Sequence, residues 1–214
     1  MLTSRVQLFL LRRHQGGPAE VQEAIECCLV EYPQRRLLTY SLLADLHRQQ
    51  GRQAEAREAF EQVAARDFGG LEVDNDWLVS LATLAEVAEF LGDQTRCARL
   101  YELLAPHAKR NALNLPEIVV GSVSRNLAML AAALSDWARA ERHYRDALEM
   151  NARVGARPWL AYTREGHARM LLRRNPNVGG PARELAEGAR DDYRELGMDA
   201  HAERASRLVD QFPS

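Results

Sequence analysis

Residues 43–60, LADLHRQQGRQAEAREAF, decide how this chain is read. Their flanks carry small and apolar side chains at helical spacing, and their polar centre holds one glycine, Gly51. A glycine just past a helix end stops that helix, and polar residues beyond it start another. Alone, such a stretch is a solvated loop. If it recurs, it is the punctuation of a repeat protein, and internal repetition settles the fold before any other signal.

It recurs. Around Gly51, Tyr40, Leu43, Ala44 and His47 come before the turn, and Ala56, Phe60 and Val63 follow. Around Gly92 the same offsets hold Leu81, Leu84, Ala85 and Ala88, then Cys97, Tyr101 and Leu104. Around Ser135 and Asp136 they hold Leu127, Ala128 and Ala131, then Ala140, Tyr144 and Ala147, while Gly16 is followed by Val21, Ile25, Cys28 and Pro33. Small residues such as Ala44, Ala85 and Ala128 let the first helix of a pair approach its neighbour. An aromatic four residues after the second small residue lies one turn further along the same face and fills the gap between pairs. Each copy is an antiparallel helix hairpin.

The pattern resembles the tetratricopeptide repeat. The resemblance implies an all-α, right-handed superhelix of about five antiparallel helix pairs plus a C-terminal cap helix, forming one domain over 1–214. Approximate repeats fall at 1–33, 36–68, 76–110, 117–154 and 157–197, with the cap at 199–212. Turn-to-turn distances, from Gly16 to Gly51 to Gly92 to Ser135, grow along the chain beyond the family's period of about 34 residues, so later helices or loops are longer. Residues 38–208, and the run GARPWLAYT at 155–163 above all, also resemble the helical C-terminal region of large bacterial signalling proteins. Those proteins join such repeats to an ATPase module, often beside an adenylate-cyclase or LuxR-type DNA-binding domain. This implies a regulatory interaction module and transfers no catalytic residue.

Composition removes other classes. The 28 basic and 30 acidic residues are interleaved, leaving a net charge of −2 and no footprint for nucleic acid or an anionic membrane. Lys109 is the single lysine, so a phosphate-loop, Schiff-base or kinase-type lysine would have to be that residue. Three cysteines, Cys27, Cys28 and Cys97, suit neither a disulfide scaffold nor a zinc site and point to a reducing interior. Without a signal-peptide pattern or a run of about 20 apolar residues, a soluble cytoplasmic protein is expected. Asp67-Phe68-Gly69 lacks the other kinase motifs and reads as a loop. The NVGGP run lacks a Gly-Lys-Ser/Thr ending and reads as a helix start at Pro181. The six histidines show no metal-ligand spacing, so no cofactor, metal or catalytic residue is expected. His47 and His167 read as core.

Function would reside on the concave face lined by the first helix of each pair. The repeat's groove offsets give Asp45, Arg48, Gln49, Glu86, Glu89, Arg125 and Met129, with Tyr162, Glu165 and Arg169 from the fifth repeat. This mixed-charge set suits a peptide or protein partner held by directional polar contacts. The rival reading is a small-molecule pocket, in a sensor or a biosynthetic helper, and a deep closed pocket containing Glu86, Arg125 and Tyr162 would favour it. The connection starting at Asn111 is expected to reach over one edge of the groove, or to frame such a pocket with Trp137 and Trp159. The terminal helix reads as a solvent-facing cap. Leu2, Val6, Phe9 and Leu10 have no preceding repeat to cover them, which suggests a homodimer through the N-terminal helices or a further domain.

Overall fold

The computed structural model describes residues 1–17, 21–68 and 71–212. Among them, 76% of the chain is helical and eleven α-helices form five hairpins and a last single helix. The hairpins are α1 (Leu2–Gln15) with α2 (Gln22–Glu31), α3 (Arg36–Gln49) with α4 (Gln53–Ala64), α5 (Trp77–Phe90) with α6 (Gln94–Leu104), α7 (Val123–Ala133) with α8 (Trp137–Arg153), and α9 (Arg157–Arg174) with α10 (Pro181–Glu195). α11 (Asp199–Val209) closes the chain. None of these helices is long and apolar enough to cross a membrane.

Local chemistry sets the boundaries. Gly51, Gly92, Gly155 and Gly197 follow helix ends with positive φ, and Ser135 takes the same left-handed conformation at φ 60° where its repeat lacks a glycine. The carboxylates of Asp93 and Asp136 cap α6 and α8, each accepting a backbone N–H at 3.0 Å. Pro181 opens α10. Asp67 and Phe68 belong to a short 3₁₀ turn after α4, whereas Gly69 lies outside the described residues.

The helices differ in how much of their surface is covered. The even-numbered α4, α6, α8 and α10 bury one stripe each, such as Ala56, Phe60 and Val63 or Ala140, Tyr144 and Ala147. α5 is apolar nearly all round and is buried from Val79 to Ala88, because α3, α6, α7 and a hairpin of strands surround it.

That hairpin departs from the all-α expectation. β1 (Asn111–Asn114) and β2 (Ile118–Ser122) pair antiparallel, with Leu113 opposite Val119 and Asn114 opposite Ile118. The segment beginning at 117 therefore enters as a strand before α7 starts. Its β-branched run Ile118-Val119-Val120 packs better on a pleated surface than on a helix. The hairpin packs against α1, α5, α7, α8 and α9 and is fastened by a polar cluster. Arg35 from the turn before α3 binds Asp76 and, at 2.6 Å, Glu117; Asn114 donates to both carboxylates; Thr3 of α1 donates to Glu117 at 3.2 Å.

The N-terminal expectation is also corrected. Leu2, Val6 and Phe9 are buried within the chain's own core and Leu10 is half-buried. α2, α3 and β2 cover that face, so these four side chains are not left bare at the end of the repeats.

Candidate functional site: an arginine-rich cavity inside a closed ring of helices

The inner helices run from α1 through α3, α5, α7 and α9 to α11, each touching the next, and α11 returns to touch α1. Gly16, which caps α1 at φ 79°, makes this closure fit. A side-chain carbon there would sit 2.6 Å from the Ala200 methyl group. The ring surrounds a partly open cavity of about 910 Å³ to which all six of these helices contribute.

Nine groove residues expected from the repeat offsets line this cavity: Arg48, Gln49, Glu86, Glu89, Arg125, Met129, Tyr162, Glu165 and Arg169. Asp45 does not. It is wholly buried behind the wall, accepting from Arg13 at 2.9 Å and from Arg48 and Gln49 at 2.7 Å. Arg13, Tyr144, Arg173, His201, Arg204 and Arg207 line the cavity without having been expected there. Arg173 had a legible signal, one turn beyond Arg169 on the same face of α9. The α11 residues did not, because that helix reads as a solvent-facing cap. In the structure its Ala202, Ala205 and Leu208 are buried against the preceding helices, and Arg204 and Arg207 face the cavity.

The floor is a buried ion cluster. Arg13 Nη2 donates to both Glu86 oxygens at 2.8 Å, Arg48 approaches Glu86 at 3.0 Å, and Arg125 binds the same carboxylate. Arg13, Glu86 and Arg125 are each no more than 5% exposed. Burial alone would raise the Glu86 carboxyl, but Arg125, Arg13 and Arg48 hold it well below the usual carboxylate range. The indole of Trp159 lies against two guanidinium groups, with Arg13 and Arg125 each 5.2 Å from its ring centre. Higher on the wall, Glu165 accepts two bonds of 2.7 Å from Arg204, one of 2.6 Å from Arg169 and one of 2.8 Å from the Tyr193 hydroxyl. Burial opposes its ionisation, yet Arg204 above all brings its pKa down to about 2.

Among the lining residues seven arginines face three glutamates, a surplus of four positive charges in a chain whose net charge is −2. Phe90, Met129, Met170, Leu172 and Leu208 supply an apolar portion. The described residues contain no group of three His, Cys, Asp or Glu able to hold a metal. Cys28 and Cys97 are buried, and burial pushes the Cys97 thiol up to about 12, far from a reactive thiolate. His47 and His167 are buried. Trp137 is half-buried beside the α7–α8 core.

The seam between α1 and α11 predicts a pH response. His201 Nε2 lies 3.0 Å from the Arg13 carbonyl, which can only accept, so that nitrogen carries the proton. The Tyr162 hydroxyl, 3.3 Å from the same nitrogen, is then free to donate to His14 Nδ1 at 3.2 Å. Burial first, then Arg13 for His14 and Arg204 for His201, lowers each pKa to about 4. Between about 6.5 and 4 the unfolded chain binds more protons than the folded one, so stability falls as pH falls through that window. Urea unfolding at pH 7 and pH 4.5 is expected to differ by a few kcal/mol. His14→Phe should remove part of the difference, leaving the share of His201; an unchanged pH slope in that variant would place the response elsewhere.

Comparison with protein-family models, curated proteins and solved structures finds no match, so the geometry of the cavity carries the functional argument.

Proposed function

We propose that the chain is a tetratricopeptide-like superhelix acting as a non-catalytic sensor module in bacterial regulation, and that it takes a small anionic ligand in its central cavity. The observation that supports this most is the charge of the lining, seven arginines against three glutamates around about 910 Å³. That volume lies within the range of small-molecule sites, about 300–1,000 Å³. A positive recess walled by low-dielectric helices in a net acidic chain concentrates anions and holds them more strongly than an exposed patch would. The recess also brings Glu86, Arg125 and Tyr162 together from three helices, as a small-molecule pocket would require.

A second reading has its own support. Arg169, Arg173 and Arg207 are exposed as well as lining the cavity, so an acidic segment of a partner protein could dock at the mouth. Native mass spectrometry of the purified protein, before and after mild denaturation, tests the first reading. A stoichiometric small anion released on denaturation is the expected result. A chain that is empty as isolated, and that an organic-anion library leaves unshifted in both mass and melting temperature, would refute it.

A further inference from the structure

The arginines of the cavity are not equally available. At the floor, Glu86 already occupies three guanidinium groups, and Asp45 takes further bonds from Arg13 and Arg48. On the wall, Glu165 engages Arg204 and Arg169 and also accepts from Tyr193. These two carboxylates act as internal anions. An incoming ligand would have to displace a buried, multiply bonded carboxylate to reach either group of arginines, and an ion pair broken inside a protein leaves costly unpaired charge.

At the rim the situation differs. Arg173 on α9 has a single ion pair, to Glu89 at 3.5 Å, and its side chain is 49% exposed. Arg207 on α11 is exposed and carries no ion pair at all among the described residues. Among the cavity's arginines, these two guanidinium groups, from two helices, are the ones an incoming anion can reach without displacing a buried carboxylate. The apolar lining, with Phe90 and Leu172 next to Glu89 and Arg173 in sequence, offers a surface for an uncharged portion of the ligand. The buried Arg13–Glu86–Arg125 cluster closes the floor, so an extended chain cannot thread through.

Resting on the anionic-ligand reading above, we infer that the ligand is a compact polyanion, a phosphate ester or polycarboxylate with an apolar part, and that Arg173 and Arg207 receive its charges. The floor arginines shape the cavity and set its field. A guanidinium fork binds either oxyanion in two-point fashion, which is why both chemistries fit the same pair.

Calorimetric titration at physiological ionic strength tests this, comparing the intact chain with the Arg173→Gln/Arg207→Gln double variant. The probes are inorganic pyrophosphate, citrate and a hexaglutamate peptide. The expected result is one saturable site per chain for pyrophosphate or citrate, weakened roughly tenfold or more in the double variant by loss of charge-assisted bonds. The melting temperature of the unliganded variant should stay within a degree or two of the parent, because neither side chain holds a buried partner. Which of the two probes binds assigns phosphate or carboxylate chemistry. Equal affinity in parent and variant would overturn the rim assignment while leaving an anion-binding cavity. Binding of hexaglutamate alone would overturn the compact ligand in favour of an acidic segment. Silence from all three would overturn both this inference and the anionic-ligand reading beneath it.

Discussion

Replacing Glu86 by glutamine is expected to lower the thermal unfolding midpoint by roughly 10 °C. The substitution keeps the size of the side chain and removes the charge that three arginines share. Arg13 and Arg125 then stay buried with one carboxylate fewer, and a buried ion pair broken from one side typically costs about 3–5 kcal/mol. In a chain of this size each kcal/mol moves the midpoint by about 2–4 °C. Circular dichroism melts of the parent and Glu86→Gln measure it directly. The double variant Glu86→Leu/Arg125→Leu should be less destabilised than the sum of its single variants, because removing both partners leaves less charge stranded. A midpoint within a degree of the parent would mean that water reaches the floor and shares its charge. Because it leaves three arginines short of one carboxylate, Glu86→Gln should also bind polyanions more tightly while it remains folded.

Gly121→Ala should be almost as damaging, for steric rather than electrostatic reasons. Gly121 sits in β2 at φ 77°, and a methyl group there would lie 2.7 Å from Trp159 Cγ and 2.9 Å from its Cβ. Backbone strain of about 1 kcal/mol and an overpacking cost of about 1–3 kcal/mol add in the same direction. Trp159 has little room to yield. Arg13 and Arg125 lie against its ring, and the imidazole of His14 meets it edge-on at 5.5 Å. Asn151 on α8 ties the region together by accepting from Ser122 N–H at 3.2 Å and donating to Thr163 at 3.1 Å. We expect a loss of about 2–4 kcal/mol in urea unfolding, together with an altered tryptophan emission spectrum in the native state. An unchanged spectrum with normal stability would show that α9 can shift away from β2 at no cost, and that the cavity wall is softer than its packing implies.

Both effects arise from long-range contacts, and this separates what is legible in the chain from what is not. The helix hairpins are legible because their code is local. A small residue, an aromatic one turn later and a left-handed turn residue lie within one window, and where glycine is absent Ser135 adopts the same conformation at φ 60°. The inner-face residues follow from the same local rule, since offsets along one helix fix which side chains share a face. Asp45 is the exception. It lies on the same helix as Arg48 and Gln49, but those two fold back over it from three and four residues further on and shut it off from the cavity.

The β-hairpin was less legible. Residues 111–122 lack the helical period, but a two-stranded ribbon is held only where α5 packs on it and Arg35 and Asp76 anchor it. By itself, then, the sequence determines a mostly helical chain of paired helices, their turns, and most of the side chains that face inward. The tertiary structure alone decides that the ring closes. Small rotations between successive hairpins must sum until α11 reaches α1, and no local pattern encodes a sum. Closure turns a terminal cap into a cavity wall and covers the imidazoles of the seam. It also brings arginines from α1, α9 and α11, remote from one another in sequence, around one recess, so that the field there belongs to the closed ring and to no single motif.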